Sequence, residues 1–161
     1  MFTIGQVMNR QVRSLEPTTT VADAIRFLTK NHTGGVPVTS SDGELVGMVS
    51  ELALIDVVFD EAVQHVPISS YMTVELHSVR PDEPLSRAAQ LFTLYAFRRL
   101  PVVDNGKLVG ILTRRDLMNH ALHSRCTLSD PLLEIFPALV SAKPMDALPP
   151  APEKCQVTTW E

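Results

Sequence analysis

The stretch LPVVDNGKLVGILTRRD, residues 100–116, decides the fold. Apolar residues stand on both sides of the Asp-Asn-Gly turn at residues 104–106, and Asn-Gly between two apolar runs is a strong signal of a β-hairpin. We expect a helix over residues 114–123 to follow the second strand. The stretch therefore predicts a strand, a tight turn, a strand and a helix, in that order.

An earlier stretch, VPVTSSDGELVGMVSELA at residues 36–53, repeats this pattern. Pro37-Val38 matches Pro101-Val102 at a shift of 64 residues, and one extra residue in the first turn changes the shift to 63 for Leu45–Gly47 and Leu108–Gly110. Self-similarity of this kind indicates a repeated structural unit. Further matches at a shift of 64 are Met8 with Met72, Pro17 with Pro81 and Ala24 with Ala88.

Each copy is predicted to have the order β-α-β-β-α, with helices near residues 20–31 and 51–62 in the first copy and 84–95 and 114–123 in the second. We therefore predict an α/β (α+β) fold in which the two units pack through their sheets with pseudo-two-fold symmetry. The predicted divisions are residues 1–64, residues 65–124 and a Pro-rich C-terminal tail at 125–161. The interface between the two units is called the seam, and ligand pockets are common at interfaces of this kind.

Composition narrows the class of protein. The net charge of −4 and a pI near 5.7 argue against a nucleic-acid partner, which favours a basic surface. No apolar run approaches the roughly 20 residues that span a bilayer, so we expect no membrane partner. The two cysteines, Cys126 and Cys155, lie in the last quarter of the chain, where a disulfide could link only the tail, so we expect a reducing compartment. The first residues do not resemble a signal peptide. We therefore expect a soluble cytoplasmic protein.

Taken together, the repeats resemble a tandem pair of cystathionine-β-synthase (CBS) domains, also called a Bateman module. The resemblance rests on Phe97–Asp104 and Gly106–Asp116 and covers roughly residues 3–123. The family signature is a Gly, two apolar residues, a Thr or Ser, two variable residues and an Asp, and Gly110–Asp116 satisfies it. The resemblance implies a regulatory ligand that contains adenosine, such as AMP, ADP, ATP or S-adenosylmethionine, and a dimeric assembly.

The candidate ligand site lies in the second copy. The carboxylate of Asp116 can accept hydrogen bonds from a ribose diol, Thr113 can donate or accept, and the start of a helix favours an anion. By its place in the motif, Arg99 resembles a phosphate-contacting position of the family, and Arg98 is close enough to assist. The positions that resemble the family's adenine and ribose wall are Met72, His77, Phe97 and Ile111.

Structural explanations for these residues stay open beside the ligand. Thr113 and Asp116 together form a plausible helix cap. Arg98 and Arg99 are adjacent in a strand, so one of them is expected to point away from any given cleft. His77 is consistent with an ordinary surface or packing histidine.

The first copy departs from the signature. Ser50 keeps the hydroxyl, but Ala53 stands where Asp belongs, Gly35 stands for Arg99 and Thr33 for Phe97. A hydrogen bond to a charged group contributes about 1.5–3 kcal/mol, so the missing carboxylate predicts roughly ten- to a hundredfold weaker binding. Arg13 remains as a cationic contact of this degenerate site. We predict one competent site, not two.

The pattern does not favour an enzyme. There is no phosphate-binding Gly-rich loop, and no nucleophile is evident beside a base. His120 and His123 have a spacing that could share a metal but lack nearby ligands, so we expect neither a metal nor a catalytic cofactor. The apolar segment at residues 52–59 would need covering on several sides, which predicts a homodimer. A ligand-operated regulator of a separate effector protein is the leading hypothesis, and a ligand-free dimeric scaffold is the alternative.

Overall fold

The computed structural model describes residues 2–123, which form two units with like elements. The helices are α1 Ile4–Val7, α2 Val21–Lys30, α3 Glu51–Ile55, α4 Leu85–Leu94 and α5 Arg114–His123. The strands are β1 Gly35–Thr39, β2 Leu45–Ser50, β3 Arg99–Asp104 and β4 Lys107–Thr113, and a 3₁₀ turn spans Ile68–Ser70. The tail predicted at 125–161 and both cysteines lie outside the described residues.

Three of the four predicted helices are confirmed, and the fourth is wrong in length. The helix predicted over residues 51–62 ends at Ile55, and turns follow it. The amide of Val57 donates to the carbonyl of Leu54 at 3.2 Å, and that of Asp60 to the carbonyl of Val57 at 3.1 Å. The β-branched pair Val57 and Val58 and the neighbouring aspartates have low helix propensity, which explains the early end.

Both predicted hairpins are present, because β1 pairs antiparallel with β2 and β3 with β4. Asn105 and Gly106 have φ of 48° and 81°, the two left-handed residues that a type I′ turn requires. Gly43 has φ of 82° in the first turn. The register shifts once in each hairpin, after Val38 and after Val102. Since these two residues are equivalent at a shift of 64, the repeat extends to the irregularities of its backbone.

Each hairpin is extended by a segment that belongs to the other copy in sequence. Asn9 exchanges two backbone hydrogen bonds of 2.9 Å with Ile111 of β4. Thr73 exchanges two of 2.9 and 2.8 Å with Met48 of β2. The two copies therefore swap their leading segments.

The hydrophobic core reflects this exchange, since each copy's leading segment is buried against the other copy. Ile4 and Ile68 are equivalent at a shift of 64, and both are fully buried. The hairpin tips also bond reciprocally across the seam, as expected for a pseudo-two-fold axis. One cluster contains Ile4, Met8, Val79, Leu85, Ala88, Leu91, Phe92, Leu100, Val102 and Leu112. The other contains Val21, Ala24, Leu28, Val36, Val38, Val49, Leu54 and Ile68.

The α+β fold is thus the one that the sequence predicts. In the part of the chain that the structure describes, no helix has the length and apolar character needed to cross a bilayer.

Candidate functional site

Thr113 and Asp116 lie where β4 passes into α5. Oδ2 of Asp116 accepts hydrogen bonds from the amide (2.8 Å) and the hydroxyl (2.6 Å) of Thr113, and the Asp116 amide donates to the Thr113 hydroxyl at 3.2 Å. These are the reciprocal bonds of a helix cap, the structural role that the sequence left open. Oδ1 makes no hydrogen bond with any residue in the range 2–123. Oδ1 is therefore available as a hydrogen-bond acceptor.

Ser50 occupies the matching position at the start of α3. Its hydroxyl accepts a hydrogen bond of 3.2 Å from the amide of Ala53. Ala53 has no carboxylate with which to complete the reciprocal cap. The first unit therefore keeps a helix cap but has no acidic group at this position.

Three aromatic rings cluster in the second unit as a ring stack, in which Tyr95 is stacked on both neighbours and His77 is tilted by 42° relative to Phe97. The ring centroids of His77 and Tyr95 lie 4.4 Å apart, those of Tyr95 and Phe97 5.3 Å apart, and those of His77 and Phe97 5.1 Å apart. His77 and Phe97 were predicted, whereas Tyr95 was missed. Its signal was a second aromatic residue two positions before Phe97. Tyr95 is 50% exposed, so the ring stack is accessible from solvent.

The equivalent positions of the first unit are polar. Arg13, Asn31 and Thr33 stand 64 residues before His77, Tyr95 and Phe97. The Arg13 guanidinium donates to the side-chain oxygen of Asn31 at 2.7 Å. These three positions thus carry rings in the second unit and hydrogen-bonding side chains in the first. At these positions, only the second unit offers a surface for stacking.

Arg99 belongs to the second unit but contacts the first. Its Cα lies opposite that of Thr113 in the register of β3 and β4. Its Nη1, however, donates to the hydroxyl of Thr33 at 2.7 Å and to the carbonyl of Gly35. The predicted phosphate contact therefore lies at the seam between the units, held by the residues that replace Phe97 and Arg99 in the first copy.

The half-buried position of Arg99 shifts the pKa of its guanidinium. Burial lowers the pKa of the Arg99 guanidinium, the negative charge of Glu51 opposes this effect, and the positive charge of Arg98 adds to it. A guanidinium has so high an ordinary pKa that it stays cationic at neutral pH. Arg98 itself is exposed. A partly desolvated positive charge is therefore fixed at the seam.

Arg114, the first residue of α5, contacts the loop between α4 and β3 that carries Tyr95 and Phe97. The sequence analysis did not predict this contact. Its Nε donates to the carbonyl of Phe97 and its Nη2 to the carbonyl of Ala96. Ala96 has φ of 53°, the left-handed conformation that ends α4. This contact holds the start of α5, with Thr113, beside the loop that carries the ring stack.

Met72 and Ile111 contact other parts of the fold. The Sδ of Met72 lies against Gly47, where an added Cβ would be 2.6 Å away. The backbone of Ile111 pairs with Asn9. No hydrogen bond or ring contact within residues 2–123 joins either residue to the cap or the stack, and their place in a ligand site stays a prediction.

Within the same range, no three His, Cys, Asp or Glu side chains are grouped so that they could hold a metal ion. The His120 ring lies edge-on to Phe2 with centroids 4.4 Å apart, and Nδ1 of His123 bonds the carbonyl of Asn119 at 2.7 Å. Both histidines therefore have contacts within the fold.

Two units, each with a helix, an antiparallel hairpin and a second helix, swap their leading segments and define a paired-repeat module. The first strand predicted for each unit is only an isolated β-bridge, at Leu15 and at Val79. The CBS domain profile matches residues 4–60 and 68–123. The chain belongs to the CBS domain family and contains a tandem pair of these domains, as the sequence predicts.

Proteins with similar sequences differ widely in length. The CBS domain-containing protein YhcV of Bacillus subtilis is 32% identical over 121 residues, which are 73% of this chain and 84% of YhcV. MJ1225 of Methanocaldococcus jannaschii is 33% identical over 116 residues, 71% of this chain and 41% of that protein. An A-adding tRNA nucleotidyltransferase of Aquifex aeolicus is 30% identical over 115 residues, 71% of this chain but 14% of the enzyme. The chain thus spans most of one relative and a minor part of the others.

Solved structures share the fold. CBSX2 of Arabidopsis thaliana in complex with AMP is 34% identical, has a TM-score of 0.72, and the match covers 78% of this chain and 99% of that one. A putative acetoin utilization protein (AcuB) of Vibrio cholerae is 26% identical with a TM-score of 0.72, covering 78% and 93%.

Proposed function

We propose that this protein is a regulatory module, not an enzyme, which binds an adenosine-containing ligand through its second unit. The observation that carries the proposal is the contrast between equivalent positions. The second unit has a stack of three rings near an acidic helix cap, and the first unit has neither. CBSX2 was solved with AMP, which supports the same class of ligand. AMP, ADP, ATP and S-adenosylmethionine all belong to it.

Each part of a nucleotide has a matching group in this proposal. The adenine stacks on the exposed face of the His77–Tyr95–Phe97 stack, because a base and an aromatic ring both offer flat π surfaces. The ribose hydroxyls donate to Oδ1 of Asp116. A phosphate is attracted to Arg99 and to the amide groups that begin α5.

The proposal assigns one ligand to each chain. In the first unit, Ala53 provides no acceptor for the ribose, and Arg13 and Asn31 bond each other where the second unit has rings. Ser50 and Arg13 remain polar groups of a degenerate site.

Regulation follows from the position of the site near the seam. A ligand changes the balance between two arrangements only through its different affinity for them. Arg99 joins the two units, so a ligand that contacts it favours one arrangement of the seam. The effector in this proposal is a separate protein, and the module acts in the cytoplasm, where it meets adenine nucleotides. It needs no catalytic cofactor.

The proposal also includes a homodimer. Leu52 and Phe59, in and after α3, are 80% and 95% exposed, and Ile55 is 60% exposed. On α5, Met118 and Leu122 are exposed as well. Large apolar side chains in contact with water favour an interface. A second copy of the chain is the partner that we assign to them.

A ligand-free dimeric scaffold is the second candidate, and one observation favours it. The Thr113–Asp116 pair is already engaged in a helix cap, so both residues have a structural role without a ligand.

Thermal unfolding with AMP, ADP, ATP or S-adenosylmethionine separates the two candidates. Binding to the folded state alone raises the melting temperature by mass action. A rise with at least one ligand at about millimolar concentration supports the sensor. The Asp116→Asn variant should lose most of that rise. A flat response to all four ligands supports the scaffold.

A further inference from the structure

The guanidinium of Arg99 is held by the first unit through a single nitrogen. Nη1 donates both to the hydroxyl of Thr33 and to the carbonyl of Gly35. The Thr33 hydroxyl itself donates to the carbonyl of Gly35 at 3.0 Å. The three groups form a closed triangle, which fixes the orientation of the planar guanidinium as well as its position.

Gly34 and Gly35 of the first unit lie directly beside the Arg99 guanidinium. A Cβ on Gly35 would lie 3.0 Å from the carbonyl oxygen of Val49 and 3.8 Å from Cζ of Arg99. A Cβ on Gly34 would lie 3.1 Å from Oε2 of Glu51 and 3.5 Å from Nη2 of Arg99. A Cβ at either glycine would thus meet the guanidinium only in ordinary van der Waals contact, and the tighter contacts would be with Val49 and Glu51.

The remaining donors of Arg99 are open. Neither Nε nor Nη2 makes a hydrogen bond with any residue from 2 to 123. No buried side-chain nitrogen or oxygen in that range lacks a partner, so these two nitrogens are in reach of solvent. Nε and Nη2 form one edge of the guanidinium, and such an edge binds two oxygens of a phosphate side by side.

We infer that Thr33 and Gly35 are positioning residues for the ligand of the other unit. They hold Arg99 with its Nε–Nη2 edge directed at the phosphate of a nucleotide. The inference rests on the proposed function and adds to it a role for the first unit, whose altered motif serves the second site. It also assigns a preference for ligands that carry a phosphate.

The energetic reason is preorganisation. A free arginine side chain loses rotational freedom about several bonds when it binds an anion, whereas a side chain that is already fixed loses little conformational entropy. The partial burial of Arg99 strengthens its attraction to an anion, because the local dielectric is lower than that of water. A nucleoside without phosphate gains nothing from either effect.

Calorimetric titration of AMP and adenosine against the whole protein tests the inference. Thr33→Val keeps the shape of the side chain but removes the hydroxyl, and Thr33→Ser keeps the hydroxyl. We expect Thr33→Val to weaken AMP about three- to tenfold and adenosine less than about twofold. Thr33→Ser should retain the AMP affinity, and Arg99→Met should bring the AMP affinity closer to that of adenosine, since the amide groups that begin α5 remain. Thr33→Ala replaces the valine variant if that variant does not fold.

Four results overturn the inference. An equal loss of AMP and adenosine affinity in Thr33→Val assigns Thr33 a purely structural role. Unchanged AMP affinity removes the positioning role, and tighter AMP binding shows that Thr33 restrains Arg99 instead of presenting it. If the unmodified protein binds neither compound, the inference fails, and the proposed function fails with it when ADP, ATP and S-adenosylmethionine do not bind either. That last result is distinct from the other three, which leave the proposed function standing.

Discussion

The Sδ of Met72 lies against Gly47 with no room for a side chain, although the two residues belong to different copies of the repeat. A Cβ on Gly47 would stand 2.6 Å from Sδ, 3.0 Å from Cγ and 3.2 Å from the carbonyl oxygen of Thr73. The same relationship joins Met8 to Gly110. A glycine at this place in each hairpin lets the swapped segment of the other copy approach β2 or β4 closely.

This contact predicts that Gly47→Ala destabilises the protein. The methionine and the backbone of Thr73 would both have to move, and overpacking of this kind costs about 1–3 kcal/mol. Chemical denaturation measures the loss. Adding Met72→Ala to Gly47→Ala should destabilise less than the sum of the two single changes, because the smaller side chain removes the clash. Strict additivity of the two changes would contradict the contact.

The two roles of Asp116 predict different results for two substitutions. Asp116→Asn keeps an oxygen for the helix cap but removes the charge, so AMP should bind roughly tenfold more weakly at nearly unchanged stability. Asp116→Ala also removes the hydrogen bonds that the carboxylate accepts from Thr113 and should lower the free energy of unfolding by about 0.5–1.5 kcal/mol. Calorimetry and thermal unfolding measure the two effects. Asp82→Asn, which changes an exposed carboxylate paired with Arg80, is the control. Full AMP affinity in Asp116→Asn would remove the ribose contact from the account.

The ring stack predicts that Tyr95→Leu weakens AMP and adenosine by similar factors, since both share the base. Aromatic pairs contribute about 0.5–1.5 kcal/mol beyond burial, which corresponds to roughly two- to tenfold in affinity. Leu94→Ala changes an exposed neighbour outside the stack and should have no effect. Equal affinities for Tyr95→Leu and the unmodified protein would show that the base lies elsewhere.

The exposed apolar residues predict a concentration-dependent dimer that Leu52→Glu or Phe59→Glu disrupts, because a buried charge without a partner is costly. Light scattering after gel filtration measures the mass. Val74→Glu is a matched control, since Val74 is also exposed (64%) but belongs to the leading segment of the second copy. A monomeric unmodified protein, or a dimer that survives both charges, would contradict the proposed interface.

The sequence predicted the fold well because its strongest signals are local. The Asn105-Gly106 turn, the matching Asp42-Gly43 turn and the apolar periodicity each depend on neighbours in the chain, and the hairpins and three helices formed where they were expected. The helix at residues 51–62 was predicted too long, since its apolar pattern concealed the poor helix formers Val57 and Val58.

The features that the sequence did not predict depend on contacts between the copies. The swap of the leading segments follows from long-range pairing, such as Asn9 with Ile111, which no local pattern encodes. The reach of Arg99 to Thr33 and Gly35 is of the same kind. In the sequence, the first copy only lacks residues of the family motif. In the structure, two of the replacing residues, Thr33 and Gly35, contact Arg99 of the second copy.

The most direct test of the central claim is the number of AMP molecules that each chain binds, measured by isothermal titration calorimetry. The account predicts one per chain, with the heat of binding strongly reduced in Asp116→Ala. Two equal sites per chain would contradict the assignment of a degenerate first site, and no heat of binding with AMP, ADP, ATP or S-adenosylmethionine would contradict the sensor itself.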